Sequence, residues 1–250
     1  MELINAPQQA KNGIILEHPA ISLVQCWDLL LEAVPPALEP CCKFSTFCSR
    51  IDRIAKKIAV VPMEESNSYY YQSGRDASNK FKGDVFEIFC ETIIRLSPLD
   101  DRINISEYHV ITEGDTGCDG HGKNSRGEPV AVQCKYRTWN KILDENNAEL
   151  DNFDWTASTE YEVDTKSLPG KLVLITSGRE LSWESIYRYE GAMRCISRDA
   201  SCGCIKGAPT KTVDSIFSLK TLVDDNCFFW QTLIESVNSF LRKADNDKNN

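Results

Sequence analysis

An apolar segment of this sequence, PVAVQCKYR over 129–137, carries two polar side chains that could do chemistry. Side chains alternate between the two faces of a strand, so Gln133 and Lys135 would share one face with Ala131. Burying an amide and an ammonium group is costly unless each finds a partner. The pair therefore indicates either a site that uses both groups or an edge strand whose polar face meets water. The opposite face is apolar and holds Val130, Val132, Cys134 and Tyr136.

A carboxylate precedes this strand at Asp119, in a glycine-rich segment. The polar turn over 123–128 predicts a hairpin that brings Asp119 close to Gln133 and Lys135. Carboxylate and amide oxygens are suitable ligands for Mg²⁺ or Mn²⁺. A lysine beside the metal can orient or deprotonate the attacking water and offset the charge that builds on a phosphate. The trio therefore predicts metal-assisted hydrolysis of a phosphodiester.

A helix predicted over 80–96 supplies a further carboxylate. Glu87 lies at the border of its apolar stripe, where it can point over the edge of the sheet toward a metal. Glu91, one turn on, is the competing candidate, although a solvated ion pair with Arg95 is the favoured interpretation. Asp84 is expected on the same solvated side. The stripe itself comprises Phe86, Phe89, Ile93 and Leu96.

Three motifs in this order resemble the Mrr-like branch of the PD-(D/E)xK nucleases: GxxFE over 83–87, GxD over 117–119 and QxK over 133–135. The resemblance covers about residues 80–178. It implies a restriction-endonuclease-like fold, a mixed central sheet flanked by helices, and Mg²⁺-dependent cleavage of DNA. Carried over by position, it implies that Lys135 is the catalytic lysine and that the metal ligands are Asp119, Gln133, the main-chain carbonyl of Cys134 and the assisting Glu87.

Two positions depart from the family pattern. Cys118 replaces the proline that names the superfamily, and that proline carries no chemistry. Gln133 is neutral where the family usually has an acidic residue. Lower metal affinity and a one-metal mechanism are therefore expected.

The remaining patterns predict an α/β protein with a small mixed sheet and helical additions at both ends. An N-terminal, mainly helical extension covers 1–79, the nuclease core 80–178, and a C-terminal helical extension with a cysteine-bearing loop 179–250. The N-terminal part begins with an irregular arm over 1–19 and ends in a connecting loop over 64–79. Other predicted helices cover 20–34, 46–60, 180–190 and 226–242, with a helical or mixed region up to 161. Predicted strands cover 108–113, 118–122, 129–137 and 171–176.

The charge balance limits how the chain would hold DNA. Asp and Glu outnumber Lys and Arg by 37 to 28, which gives a net charge of −9. A nucleic-acid binder usually shows the opposite balance, so any contact surface must be a local patch. Ordinary solvated surface is the alternative interpretation of the candidates for that patch, which are Lys123, Arg126, Arg137 and Lys141.

Targeting signals and cysteines bear on the compartment. The sequence has no apolar run long enough for a membrane span and no basic, apolar secretory start. We therefore expect an intracellular protein, cytoplasmic or nuclear, that is neither secreted nor bound to a membrane. The 11 cysteines form no CxxC pair, which favours reduced, mostly buried thiols over structural zinc. The weaker zinc hypothesis would use Cys202 and Cys204, with Cys195 upstream or with the distant Cys41, Cys42 and Cys48.

Other residues have competing interpretations. His121 could contact a metal or a phosphate, but a turn histidine is more often simply exposed. Asp115 in Gly-Asp-Thr-Gly is more typical of a turn. A Cys-His-Asp hydrolase is not favoured, because no cysteine has nucleophile-like surroundings. Base stacking competes with packing for Trp139, Trp155 and Trp183.

The function predicted is a metal-dependent DNA endonuclease that acts as a homodimer or within a larger nucleic-acid-processing complex. A nuclease-like fold kept as a non-catalytic subunit that binds nucleic acid or protein is the alternative. A structural or assembly protein is the third hypothesis.

Overall fold

The structure is a computed structural model, and it describes most of the chain. The described residues are 14–18, 20, 24–34, 43–60, 75–98, 100–111, 117–138, 142–143, 148–166, 171–181, 193–199 and 216–248. Of the helices in these ranges, none has the length and apolar character that a membrane crossing requires.

Among the described residues, three helices come first and are followed by four strands, one helix, four more strands and two final helices. The helices are α1 (Val24–Ala33), α2 (Phe44–Val60), α3 (Arg75–Leu96), α4 (Ala148–Glu160), α5 (Leu219–Val223) and α6 (Cys227–Lys248). The strands are β1 (Ser106–Val110), β2 (Gly120–Lys123), β3 (Pro129–Lys135), β4 (Ile142–Leu143), β5 (Leu172–Thr176), β6 (Glu180–Leu181), β7 (Met193–Ser197) and β8 (Ile216–Ser218).

The central sheet has six strands in the order β1-β2-β3-β5-β7-β8. The pairs β1–β2 and β2–β3 are antiparallel, whereas β3, β5, β7 and β8 are parallel neighbours. The short strands β4 and β6 form a separate parallel pair. Strand β3 therefore lies inside the sheet, and the edge-strand explanation for Gln133 and Lys135 is wrong.

Helices cover both faces of this sheet. On one face, Val130, Val132 and Cys134 of β3 pack into a core with helices α1, α2, α3 and α6. On the other face, Ala131 packs into a second core with α4. The predicted alternation of β3 is confirmed, and so is the α/β class with a mixed sheet flanked by helices.

Helix α3 differs from the prediction in its start and in its environment. It begins at Arg75 rather than at Lys80, so the predicted loop over 64–79 is wrong for its last residues. No glycine or proline interrupts 75–79, and Ala77 is buried. The side expected to be solvated is covered as well, because Asp84 and Glu91 are both buried. Both carboxylates therefore need partners.

The C-terminal part also differs from the prediction. Glu180 and Leu181 form β6, so the helix predicted over 180–190 is wrong at its start, and 182–190 lie outside the described residues. Strands β7 and β8 follow residue 178 and continue the central sheet. The segment expected to be a helical extension thus contributes two strands to the core, and Cys195 lies in one of them.

The described cysteines are not all alike. Cys227 is disulfide-bonded, which the expectation of reduced thiols did not include. The candidate zinc ligands Cys202 and Cys204 lie outside the described residues. Among the described residues, the buried cysteines without a disulfide bond are Cys48, Cys90, Cys118, Cys134 and Cys195.

Candidate metal centre

Asp119 is held against strand β3 by the main chain. Strands β2 and β3 form the predicted hairpin, with Gly120 opposite Val132. Asp119 directly precedes β2, and its Oδ2 accepts a hydrogen bond of 2.6 Å from the main-chain N–H of Cys134. Since Cys134 lies between Gln133 and Lys135, the carboxylate is placed beside the QxK motif.

Gln133 has one satisfied and one unsatisfied side-chain atom. The side chain is fully buried, and its Nε2 donates to the carbonyl oxygen of Gly117 at 2.7 Å. The Oε1 atom is buried without a hydrogen-bond partner. Flipping the amide would set two oxygens against each other, so the contact with Gly117 fixes its orientation. A buried acceptor without a partner costs about 1–3 kcal/mol, which a bound cation would offset.

The glycine of the GxD motif is required by its backbone and by its surroundings. Gly117 has a φ of +83°, in the left-handed region that side chains disfavour. A Cβ at this position would lie 2.6 Å from Nδ2 of Asn152. The conformation of Gly117 also places the carbonyl oxygen that receives Gln133.

The charges of the site act together on Asp119. Burial is the main cause that raises the pKa of Asp119 to about 7, and the charge of Glu87 raises it further. The charge of Lys135, the N–H of Cys134 and His18 act in the opposite direction. Glu87, Asp119 and Lys135 therefore lie within electrostatic reach of one another.

Lys135 lies where two parallel strands end. It is the last residue of β3, and its carbonyl oxygen accepts hydrogen bonds from Oγ1 of Thr176 at 2.9 Å and from the N–H of Ser177 at 3.2 Å. Thr176 in turn ends β5. The carboxyl edge of the parallel strands is where α/β sheets commonly bind ligands.

A second group of ligand atoms lies beside Glu87. Atoms of His18, Asp84 and Glu87 that could bind a metal all lie within 4.8 Å of one another. Nε2 of His18 is 2.6 Å from Oε2 of Glu87, and Nζ of Lys80 pairs with Asp84 at 3.3 Å. Asp119 does not belong to this tighter cluster.

Sequence reasoning missed His18 and Asp84 as members of the site. The sequence predicts a solvated Asp84, whereas the structure buries it. His18 precedes Glu87 by 69 residues and lies in the segment 14–18, which is neither helix nor strand. The sequence has only 3 histidines, and this scarcity is the sole signal that could have drawn attention to His18. It does not identify Glu87 as the partner.

Glu91 anchors the N-terminal segment, which comprises residues 14–18. Its two carboxylate oxygens accept the main-chain N–H groups of Glu17 at 2.7 Å and His18 at 3.1 Å, and Nε of Arg95 donates to Oε1 at 2.7 Å. The predicted pair with Arg95 is confirmed, whereas the expected solvation is wrong. Glu91 thus has a structural task that separates it from Glu87.

The candidate basic residues do not form one group. Lys123 and Arg126 lie at the turn end of the hairpin, away from Asp119, and Nζ of Lys123 pairs with Glu107 at 2.5 Å. Arg137 follows Lys135 at the site end, with Nη1 donating to the carbonyl oxygen of Tyr136. Lys141 lies outside the described residues.

The remaining candidates have other surroundings or lie outside the described ranges. The ring of His121 stacks on Tyr161 at 4.9 Å and lies 5.5 Å from the ring of His109. Burial lowers the pKa of His121, and the nearby His109 contributes. Trp155 is an exposed residue of α4. Asp115, Trp139 and Trp183 lie outside the described residues.

The residues present fit a hard divalent cation. Asp119 and Glu87 offer carboxylates that lie within electrostatic reach of each other. Gln133 offers an amide oxygen without a hydrogen-bond partner, on the side of β3 that it shares with Ala131 and that faces α4, whereas α3 packs on the opposite side. All are oxygen donors of the kind that Mg²⁺ and Mn²⁺ accept.

Comparisons of the chain with protein-family models, with curated proteins and with solved structures find no match.

Proposed function

We propose that this chain is a metal-dependent endonuclease that hydrolyses DNA phosphodiester bonds on a restriction-endonuclease-like fold. The observation that carries the proposal is the buried, unpartnered Oε1 of Gln133. Gln133 directly precedes Cys134, whose main-chain N–H binds the carboxylate of Asp119, and Lys135 follows on the same strand. An unsatisfied acceptor in a protein interior calls for an explanation, and a bound cation supplies one.

The ligands proposed for Mg²⁺ or Mn²⁺ are Asp119, Oε1 of Gln133 and the main-chain carbonyl of Cys134, with Glu87 assisting. When bound, such a metal polarises the phosphate and lowers the pKa of its water. The N–H of Cys134 holds one oxygen of Asp119, which restricts how the carboxylate can turn. Gly117 fixes Gln133 in the same way. The site is therefore preorganised by main-chain groups.

Lys135 has a different task in this proposal. Its ammonium orients the attacking water and offsets the negative charge that builds on the phosphate in the transition state. Its position at the end of β3 keeps it on the same strand as Gln133. The lysine acts on the reacting atoms, so its loss should reduce cleavage more than metal binding.

Basic residues at the carboxyl edge of the sheet support binding of a phosphate backbone, although the net charge of the chain is negative. Arg137 follows β3 and the exposed Arg179 follows β5 at this same edge. Together with Lys135 they would supply positive charge to a phosphate bound at this edge. Such local charge is what binding to DNA requires when the net charge is −9.

The proposal is tested by incubating the purified chain with linear, circular and branched DNA, with and without Mn²⁺. Asp119→Ala and Lys135→Ala are compared with Lys57→Ala, a control at an exposed lysine on α2. We expect Mn²⁺-dependent cleavage by the wild type and the control, and loss of cleavage in the two site variants. Full cleavage by either folded site variant would overturn the proposal.

A second candidate function is a nuclease-like subunit that binds nucleic acid or protein without cleaving. The neutral Gln133 favours it, because an amide binds a divalent cation more weakly than a carboxylate does. A Mn²⁺ titration separates the two candidates. A non-catalytic module should show no Mn²⁺ binding that depends on Asp119.

A further inference from the structure

His18 holds one carboxylate of the site through a defined hydrogen bond. Its ring is 5% exposed, and Nε2 lies 2.6 Å from Oε2 of Glu87. On the other side of the ring, the main-chain N–H of Ala20 donates to Nδ1 at 3.2 Å. Because Nδ1 accepts, the ring proton lies on Nε2, and His18 donates it to Glu87.

The main chain of the N-terminal segment is hydrogen-bonded to helix α3 close to the ring of His18. Glu91, one turn after Glu87 on helix α3, accepts the main-chain N–H groups of Glu17 and His18. Nη2 of Arg95 pairs with Oε2 of Glu17 at 3.0 Å. Glu91 thus holds the backbone of the segment, while Glu87 receives its side chain. Two carboxylates on successive turns of α3 therefore both bind residues of the same N-terminal segment.

We infer that His18 is a positioning residue for Glu87, and that the site is completed by the N-terminal segment over 14–18. This inference rests on the proposed function. A glutamate has several rotatable bonds, and Glu87 is 27% exposed, so packing alone does not fix it. The bond from His18 fixes one carboxylate oxygen and leaves the other for a metal. Outer partners of this kind orient metal ligands.

On this inference, the N-terminal extension supports the metal site through residues 14–18. The resemblance to nucleases begins only at about residue 80, and none of its motifs includes a histidine from an N-terminal arm. In this chain the segment at 14–18 reaches the same helix that carries the GxxFE motif. Loss of the segment should therefore weaken the metal site even though the motifs remain intact.

The test measures Mn²⁺ affinity by calorimetry for wild type, His18→Ala and His18→Gln. Glutamine keeps a neutral donor that can replace Nε2, so it should rescue binding, whereas alanine should weaken it by about 10–100-fold. In a Glu87→Gln background, His18→Ala should have no further effect, because the two residues act as one unit. Cleavage at saturating Mn²⁺ should change far less than the Mn²⁺ concentration for half-maximal rate.

Several outcomes would overturn the inference. Wild-type Mn²⁺ affinity in His18→Ala would do so, as would equal weakening in alanine and glutamine variants. Thermal unfolding in EDTA first establishes that each variant folds. If His18→Ala does not fold, His18→Asn replaces it, because the asparagine amide matches Nδ1 rather than Nε2 and should not rescue binding.

The same experiment distinguishes this inference from the proposed function. Mn²⁺ binding that depends on His18, without any cleavage by the wild type, overturns the nuclease proposal alone. Cleavage by the wild type that His18→Ala retains at every Mn²⁺ concentration overturns the positioning role alone. A wild type that binds no Mn²⁺ overturns both.

Discussion

The side-chain nitrogen of Gln133 donates to the carbonyl oxygen of Gly117 at 2.7 Å, which joins the GxD segment to the QxK strand. The first residue of one motif therefore orients the first residue of the other. This contact decides which atom of the amide remains unpartnered. It gives the glycine a physical role beyond its backbone conformation.

Gln133→Glu should strengthen metal binding and weaken the metal-free fold. A carboxylate adds the charge that a divalent cation favours, but it cannot donate to Gly117, so two oxygens would face each other. We expect tighter Mn²⁺ binding by calorimetry and a free energy of unfolding in EDTA that is lower by about 1–3 kcal/mol. Gln231→Glu on the exposed side of α6 is the matched control. Unchanged Mn²⁺ affinity in Gln133→Glu would argue against ligation at this position.

Metal binding should depend on pH through Asp119. Its pKa is raised to about 7 by burial and by the charge of Glu87, so the carboxylate is largely protonated in more acidic solution. Because a ligand must be deprotonated, Mn²⁺ affinity should fall about tenfold per unit below pH 7 and level off above it. Titrations from pH 5.5 to 8.5 measure the profile. An identical profile in Asp119→Asn would assign the dependence to another group.

Asp119 should also affect stability in the absence of metal. The pKa of this carboxyl is about 7 in the folded protein against an ordinary value of 3.8, so folding takes up a proton between these values. The wild-type free energy of unfolding should therefore fall as pH rises through this window. Asp119→Asn lacks this loss. The free energy of unfolding of Asp119→Asn minus that of the wild type should therefore be larger at pH 8 than at pH 4. Urea unfolding in EDTA at both pH values measures the difference, and an equal difference at both would contradict the shift.

The two motif glycines should respond in opposite ways to alanine. Gly117→Ala places a Cβ 2.6 Å from Nδ2 of Asn152 at a left-handed φ, so we expect a loss of at least about 1–2 kcal/mol. Gly83→Ala meets only Oε1 of Glu87 at 3.7 Å inside helix α3, so we expect a gain of about 0.5–1 kcal/mol. Urea unfolding measures both. A stable Gly117→Ala variant would contradict the requirement for glycine.

Local patterns predicted the hairpin that brings Asp119 to β3. Alternation along 129–137 identified the two faces of the strand, because a period of two is a property of the strand itself. The polar turn before the strand was enough to predict a hairpin that brings Asp119 close to the QxK segment. These inferences needed only short-range geometry, and the pairing of β2 with β3 confirms them.

Long-range contacts account for what sequence reasoning did not find. The sequence predicts a single apolar stripe on helix α3, yet the segment that contains His18 covers a second side and buries Glu91. No local pattern links His18 to Glu87, because the contact spans 69 residues. Strand β8 is only three residues long and joins the sheet by parallel pairing with β7, which the sequence between them does not indicate.

A Mn²⁺ titration of wild type and Asp119→Ala at pH 8 tests the metal centre most directly. The same samples are assayed for cleavage of the same DNA, after thermal unfolding in EDTA has shown that both are folded. The account predicts that the wild type binds Mn²⁺ and cleaves, and that Asp119→Ala loses both properties together. Undiminished Mn²⁺ binding or cleavage by folded Asp119→Ala would contradict it.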